Sequence, residues 1–293
     1  MNLHDFLSSL FDVFNDHFEH FEIICVDDSS DDNSVNEIKK TCKKIENASV
    51  SLVNMGFYHG LELSMNAGID HAIGDFVFEF DSILRDYDLS LIMDIYRHAL
   101  GGFDIVGAAP KNHLAGSSKL FYRLFNKNSA SPNKLKTERF RILSRRAINR
   151  VHSISKTMPY RKAIYASCGL KIDFLSYENK NYHTKLSSKE ESGFRKSVAI
   201  DSLMLFTNVA FKLSITMTFI MMGVAVFMAA YALVFFLLGT PIEGWTTTVL
   251  FIAFGFFGVF AILAIIIKYL SLLLDLIFKK EKYFISSIDK ITN

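Results

Sequence analysis

The 293-residue sequence is poor in the residues that make small stapled or repetitive proteins. It has three cysteines, Cys25, Cys42 and Cys168, and none stands in a C-x-x-C pair. A disulfide scaffold and a zinc ribbon are therefore excluded, and the thiols suit a reducing compartment. Only 4 prolines and 15 glycines are present, which excludes collagen-like and low-complexity chains. The nine histidines show neither H-x-x-x-H nor H-E-x-x-H spacing, and no P-loop or G-x-S-x-G elbow occurs. The largest gap is in charge: from Leu213 to Ile267 the one charged side chain is Glu243.

What is present is apolar and unevenly charged. Half the residues are hydrophobic and 28 are Phe. Residues 1–109 carry 20 acidic and 6 basic side chains, whereas residues 110–212 carry 6 acidic and 21 basic ones. That swing points to an acidic site beside a basic surface facing phosphate or membrane. The arginines Arg139, Arg141, Arg145, Arg146 and Arg150 suit lipid phosphate rather than nucleic acid, because a hydrophobic anchor follows them. Leu213–Ile242 and Gly244–Ile267 are 30 and 24 residues without a charge, against the roughly 20 needed to cross a bilayer. Gly239–Trp245 separates them with Gly and Pro breakers, and lysines flank the pair but not the turn. The expectation is an integral membrane protein with a two-helix transmembrane hairpin and both termini cytoplasmic. Met1–Phe14 lacks the basic start of a cleavable signal and places Leu3, Phe6, Leu7, Leu10, Phe11 and Phe14 on one helical face.

Upstream of the spans, short apolar runs alternate with amphipathic ones. Strands are expected at Phe21–Val26, Ser49–Asn54, Phe76–Phe80 and Phe103–Ala108, and helices at Ser34–Lys44, His59–Ile73 and Asp88–Leu100. This alternation argues for an α/β fold with a mostly parallel sheet, whose ligands bind beyond the carboxyl ends of the strands. Asp27 and Asp28 follow the first strand and Asp81 follows the third. Carboxylates there can accept hydrogen bonds from ribose or base, or bind Mg²⁺ or Mn²⁺; equally, they can cap helices.

Several stretches, ICVDDSSDDN, NMGFYHGLELSMNAGIDHAIGDFVFEFD, SSKLFYRLFNK, ERFRILSRRAI and the late KKEKYFISSI, occur in an order that resembles family 2 glycosyltransferases of the polyprenyl-phosphate type. The resemblance implies a Rossmann-like GT-A domain on the cytoplasmic face of a membrane. It would move a sugar from a nucleotide-sugar donor to a polyprenyl phosphate, with Mg²⁺ or Mn²⁺ as cofactor and a homo-oligomer as one possible assembly. It also implies roles: Asp27 and Asp28 at the nucleotide, and Asp81 at the first Asp of the D-x-D metal motif. Asp86 would stand in for the lost second Asp, Arg141 would line the site, and Lys119 and Arg123 would face the acceptor phosphate. The organisation it implies is a nucleotide-sugar half at 1–110, a basic acceptor lobe at 111–196 and an interfacial helix at 197–212. Transmembrane helices at 213–238 and 246–267 follow, then an interfacial helix and cytoplasmic tail at 268–293.

Four departures from that pattern stand in the sequence. The opening strand and PVYNE-type loop are missing, and their loss would leave ladder groups unpaired on both neighbouring strands. Ile83 replaces the second metal-binding Asp. Lys136-Thr137-Glu138-Arg139 puts basic residues where relatives carry acids, and Lys111 is alone where they carry arginines. The alternative reading is accordingly a non-catalytic relative that binds a partner or a lipid carrier.

Overall fold

The computed structural model describes residues 3–43, 48–111, 116–129, 131–154, 160–179, 189–237, 244–278 and 283–292. It opens with α1 (Leu3–His17) and alternates β1 (Glu22–Asp27), α2 (Ser34–Cys42), β2 (Ser49–Met55), α3 (Leu61–His71), β3 (Phe76–Phe80), α4 (Ser90–Leu100) and β4 (Ile105–Pro110). These match the expected elements to within two residues at each described end. Then come α5 (Gly116–Asn128), β5 (Phe140–Ser144), α6 (Arg145–Ile154), α7 (Arg161–Ser167), β6 (Ile172–Tyr177) and α8 (Lys189–Phe206). The chain closes with α9 (Val209–Leu237), α10 (Trp245–Phe278) and β7 (Ile285–Thr292).

The α/β class holds, but the sheet is mixed rather than mostly parallel. One sheet has the order β1-β2-β7 and the other β3-β5-β4-β6. β1 and β2 pair in parallel, as do β4 and β6. β5 inserts antiparallel between β3 and β4, and β7 runs antiparallel on β2. β1 and β3 are thus edge strands, with no ladder partner on their outer sides among the described residues.

α1 ties the two sheets together. Its expected apolar face is real: Phe6, Leu7, Leu10 and Phe14 are all buried. Phe6 packs on Phe80 at 5.7 Å between ring centroids, while Phe14 meets Phe21 at 5.8 Å and Phe78 at 5.4 Å. An isolated helix of this length is marginal in water. Burying four such side chains, each worth about 1.5–3 kcal/mol, is what docks it. A polar tie supplements the packing: Glu22 at the start of β1 accepts from the backbone N–H groups of Ile73 and Gly74, at 2.6 and 3.1 Å.

In the C-terminal third the structure differs from two expectations and leaves a third without support. The single helix at 197–212 is broken between Phe206 and Val209, because the Thr207 hydroxyl turns back on the Leu203 carbonyl and accepts from the Val209 N–H at 3.3 Å, starting a new helix. The 29-residue α9 and 34-residue α10 do pack on each other, with Gly258 against Met221. Yet among the described residues no helix is long and apolar enough to cross a membrane, so the transmembrane hairpin is not established. Residues 238–243 of its expected turn lie outside the described residues. Finally, the expected tail is a strand: Ile285–Thr292 returns to β2, with Ile285 and Ile291 partly buried against the core.

Candidate active site

The carboxyl ends of β1 and β3 carry the acids expected there, but each is already engaged by the protein. Asp28 accepts from the backbone N–H groups of His59 (2.8 Å) and Gly60 (2.7 Å). It thereby fixes the loop that leads into α3. Asp27 is buried and accepts from Ser30 N–H at 3.2 Å.

One turn into α3, Glu62 accepts from both the backbone N–H and the Nε of Arg161, at 2.9 and 3.1 Å. Arg161 in turn reaches Asp81 Oδ1 with Nη2 at 3.0 Å, and its Nη1 lies 3.0 Å from Glu79 Oε2. The two strand ends are therefore connected through α3 and α7.

Asp81 sits in the most highly charged interior of the molecule. Arg141, on β5, donates from Nη2 to Asp81 Oδ2 at 2.7 Å, from Nε to Glu138 at 2.9 Å, and from Nη1 to Glu79. Tyr165 donates its hydroxyl to Glu79 at 2.7 Å, and Lys162 Nζ lies 3.5 Å from Asp81 Oδ2. Both arginines are 0% exposed, which only their carboxylate partners make tolerable. Burial alone would push the Asp81 carboxyl up, but Arg141, Lys162 and Arg161 outweigh it and hold the pKa far below the usual carboxylate range. Burial likewise opposes the Lys162 charge and is outweighed by Tyr122, Asp81 and Glu138, so its pKa rises. For the Tyr165 phenol, burial and the Glu79 charge act together and keep it protonated.

The other expected residues are placed apart from this cluster. Asp86 accepts from the Tyr177 hydroxyl at 2.7 Å and from Arg139 Nε at 3.2 Å, and the Arg139 carbonyl also accepts from the Asp81 backbone N–H at 3.3 Å. Lys119 and Arg123 are exposed on α5, whose Phe121 packs on Tyr160, the residue before α7. Arg141 contacts Asp81 and is wholly enclosed rather than lining an open cleft.

Sequence reasoning missed Glu62, Glu79, Arg161, Lys162 and Tyr165. One signal was available: Glu79 interrupts an otherwise apolar five-residue strand and is its one fully buried side chain. A carboxylate so placed requires a buried cation.

The residues present do not fit the divalent ion that the resemblance implies. Mg²⁺ and Mn²⁺ need a shell of free oxygens, and both Asp81 oxygens accept from guanidinium groups. Ile83 offers hydrocarbon at the second motif position, and Asp86 is committed elsewhere. Among the described residues no three His, Cys, Asp or Glu side chains form a metal-holding group.

Packing around the network is tight. A Cβ on Gly107 of β4 would collide with Glu138 Oε2 and lie 2.8 Å from the Phe174 ring. Gly107→Ala is expected to displace Glu138 from Arg141 and cost about 1–3 kcal/mol, as overpacking does, measured as a lowered midpoint in denaturant.

In an α/β domain the carboxyl ends of the strands are where ligands bind, and that is where these carboxylates lie. Residues 2–168 match glycosyl transferase family 2, and the chain belongs to that family of sugar-transferring enzymes. Membership implies a nucleotide-sugar donor. Among its relatives, the "Uncharacterized glycosyltransferase sll0501" of Synechocystis sp. is 25% identical over 183 residues, covering 60% of this chain and 57% of that protein. The "Uncharacterized glycosyltransferase YkcC" of Bacillus subtilis is 21% identical over 284 residues, covering 93% of this chain and 85% of that protein. The chain thus spans little more than half the length of the first of these relatives and most of the second.

Proposed function

We propose that this glycosyltransferase works at a lipid surface and moves a sugar from a nucleotide-sugar donor to a polyprenyl phosphate. The observation that carries the reading is the exposed side of the α9–α10 pair. Phe219, Phe227, Phe256, Phe257, Phe260 and Ile267 are each at least 59% exposed, a concentration of apolar surface that water does not leave uncovered. Lipid is the cover proposed, and the charge-free runs of the sequence support it. The return of β7 to β2 keeps the residues before and after the pair on one body, consistent with a domain held on one side of that surface.

In the proposed reaction an acceptor phosphate oxygen attacks the anomeric carbon. The new C–O bond forms as the bond to the donor's diphosphate breaks, and the nucleoside diphosphate leaves. Because the nucleophile is an ionised phosphate, no protein base is needed. In this reading Asp27 contacts the nucleotide, and the exposed Lys119 and Arg123 are available to the acceptor phosphate.

The test is sugar transfer in membranes containing the chain, supplied with polyprenyl phosphate and a panel of nucleotide sugars. The lipid fraction is read by mass, with Lys119→Ala/Arg123→Ala beside the parent. A new glycosyl phospholipid, lowered at least tenfold in the double variant, is expected. Well-folded protein that yields none with any donor overturns the reading and leaves a binding role.

A further inference from the structure

The Asp81 cluster borders a cavity with an unusual wall. Between the 133–138 segment, α7 and the β4–β6 face, a narrow recess opens to solvent, lined by Lys134, Lys136, Lys162, Glu138, Tyr165 and Phe174 among others. Lys162 belongs to both places, with its ammonium 3.5 Å from Asp81 Oδ2, 3.2 Å from the Glu138 carbonyl and 4.0 Å from Glu138 Oε1. Lys136 and Lys134 are exposed, and Lys136 lies over the Phe174 ring at 4.8 Å.

Charge decides what this arrangement accepts. Glu62, Glu79, Asp81 and Glu138 face Arg141, Arg161 and Lys162, so the buried cluster alone is one negative charge in excess. Lys134 and Lys136 turn the balance positive on the cavity side. A divalent cation brought to Asp81 would meet three cationic groups at 2.7–3.5 Å. To bind, it would have to displace a fully enclosed guanidinium from its carboxylates. An anion entering from the cavity meets ammonium groups instead, in a partly desolvated place where such contacts are strong.

We propose that Lys162, with Lys136 and Lys134 on the cavity wall, supplies the positive charge for a diphosphate that relatives draw from a divalent ion, and that Asp81 holds Arg141 and Arg161 rather than a metal. The proposal rests on the glycosyltransferase reading for the identity of its ligand, but not for the existence of the site. Lys162 is a phosphate-binding residue; the arginines behind it are positioning residues that fix Asp81 and α7.

The experiment uses the full chain and two probes, Mn²⁺ followed by electron paramagnetic resonance and inorganic pyrophosphate followed by calorimetry. UDP and GDP are titrated alongside. The free Mn²⁺ signal is expected to stay undiminished by the protein. Pyrophosphate binding should agree within about twofold between EDTA and Mn²⁺, once Mn²⁺–pyrophosphate complexation is subtracted. Lys162→Met should weaken pyrophosphate at least tenfold, and Lys162→Arg should restore most of it. Lys136→Met, on an exposed side chain, should weaken it about threefold with an unchanged melting temperature, which separates binding from folding. Stoichiometric Mn²⁺ binding that disappears in Asp81→Asn overturns the proposal, as does pyrophosphate binding abolished by EDTA or absent altogether. Pyrophosphate bound through Lys162 without any nucleotide binding sinks the transferase reading while sustaining the site.

Discussion

Arg141→Met is expected to destabilise the protein by about 3–5 kcal/mol, the cost of removing one partner from buried ion pairs. Melting should fall by on the order of 10 °C, read by calorimetry or scanning fluorimetry. Arg141 donates to three acids, Glu79, Asp81 and Glu138, of which Glu79 and Glu138 are buried. Surface pairs offer the contrast. Arg97 and Asp94 are 66% and 52% exposed on one helix, and removing that pair should change stability by less than about 0.5 kcal/mol. A cycle of Arg141→Met with Glu138→Gln isolates the coupling: the double variant should be more stable than the sum of the single losses by more than about 1 kcal/mol. Additive losses would show that the two groups do not depend on each other.

Ending the chain before Ile285 is expected to cost roughly 4 kcal/mol, from the half-buried isoleucines and the lost ladder. It also leaves β2 as a bare edge. β2 is the centre of its sheet, with Val50, Leu52 and Val53 at 0% exposure, and β7 is its outer neighbour. Thr292 adds a hydroxyl that accepts from Val50 N–H at 2.9 Å and donates to the Ala48 carbonyl at 2.5 Å. An uncovered hydrophobic strand invites pairing with another chain, so the truncated protein should also form concentration-dependent oligomers in light scattering. Lys39→Met removes only the half-exposed ion pair with Asp289 and serves as the control, with an expected loss below about 1 kcal/mol. A truncated chain as stable and monodisperse as the parent would mean that β7 is dispensable.

The two variants probe what was and was not legible beforehand. The elements from α1 to β4 could be read because their information is local: apolar residues at helical spacing in Met1–Phe14, and β-forming runs such as FVFEF bounded by polar loops. β7 could not be read in this way. ISSIDKIT is weakly apolar and makes a strand only because β2, more than 200 residues earlier, offers it an edge. The break at Thr207 was equally hidden, since Thr starts a helix only when its hydroxyl is turned to accept from the right backbone N–H.

At the site the division is sharper. That Asp27, Asp28 and Asp81 follow strand ends is a consequence of sequence pattern, as are the acidic and basic halves, the charge-free runs and the family-like order of the motifs. Which cation each carboxylate meets was decided by the tertiary structure alone. Glu62, Glu79, Asp81, Glu138, Arg141 and Arg161 come from α3, β3, the loop after it, the segment before β5, β5 and α7, and nothing in their spacing along the chain pairs them. Coulomb interactions at 3 Å in a buried setting are strong enough to choose those partners, but only after folding has excluded the water that would otherwise screen them.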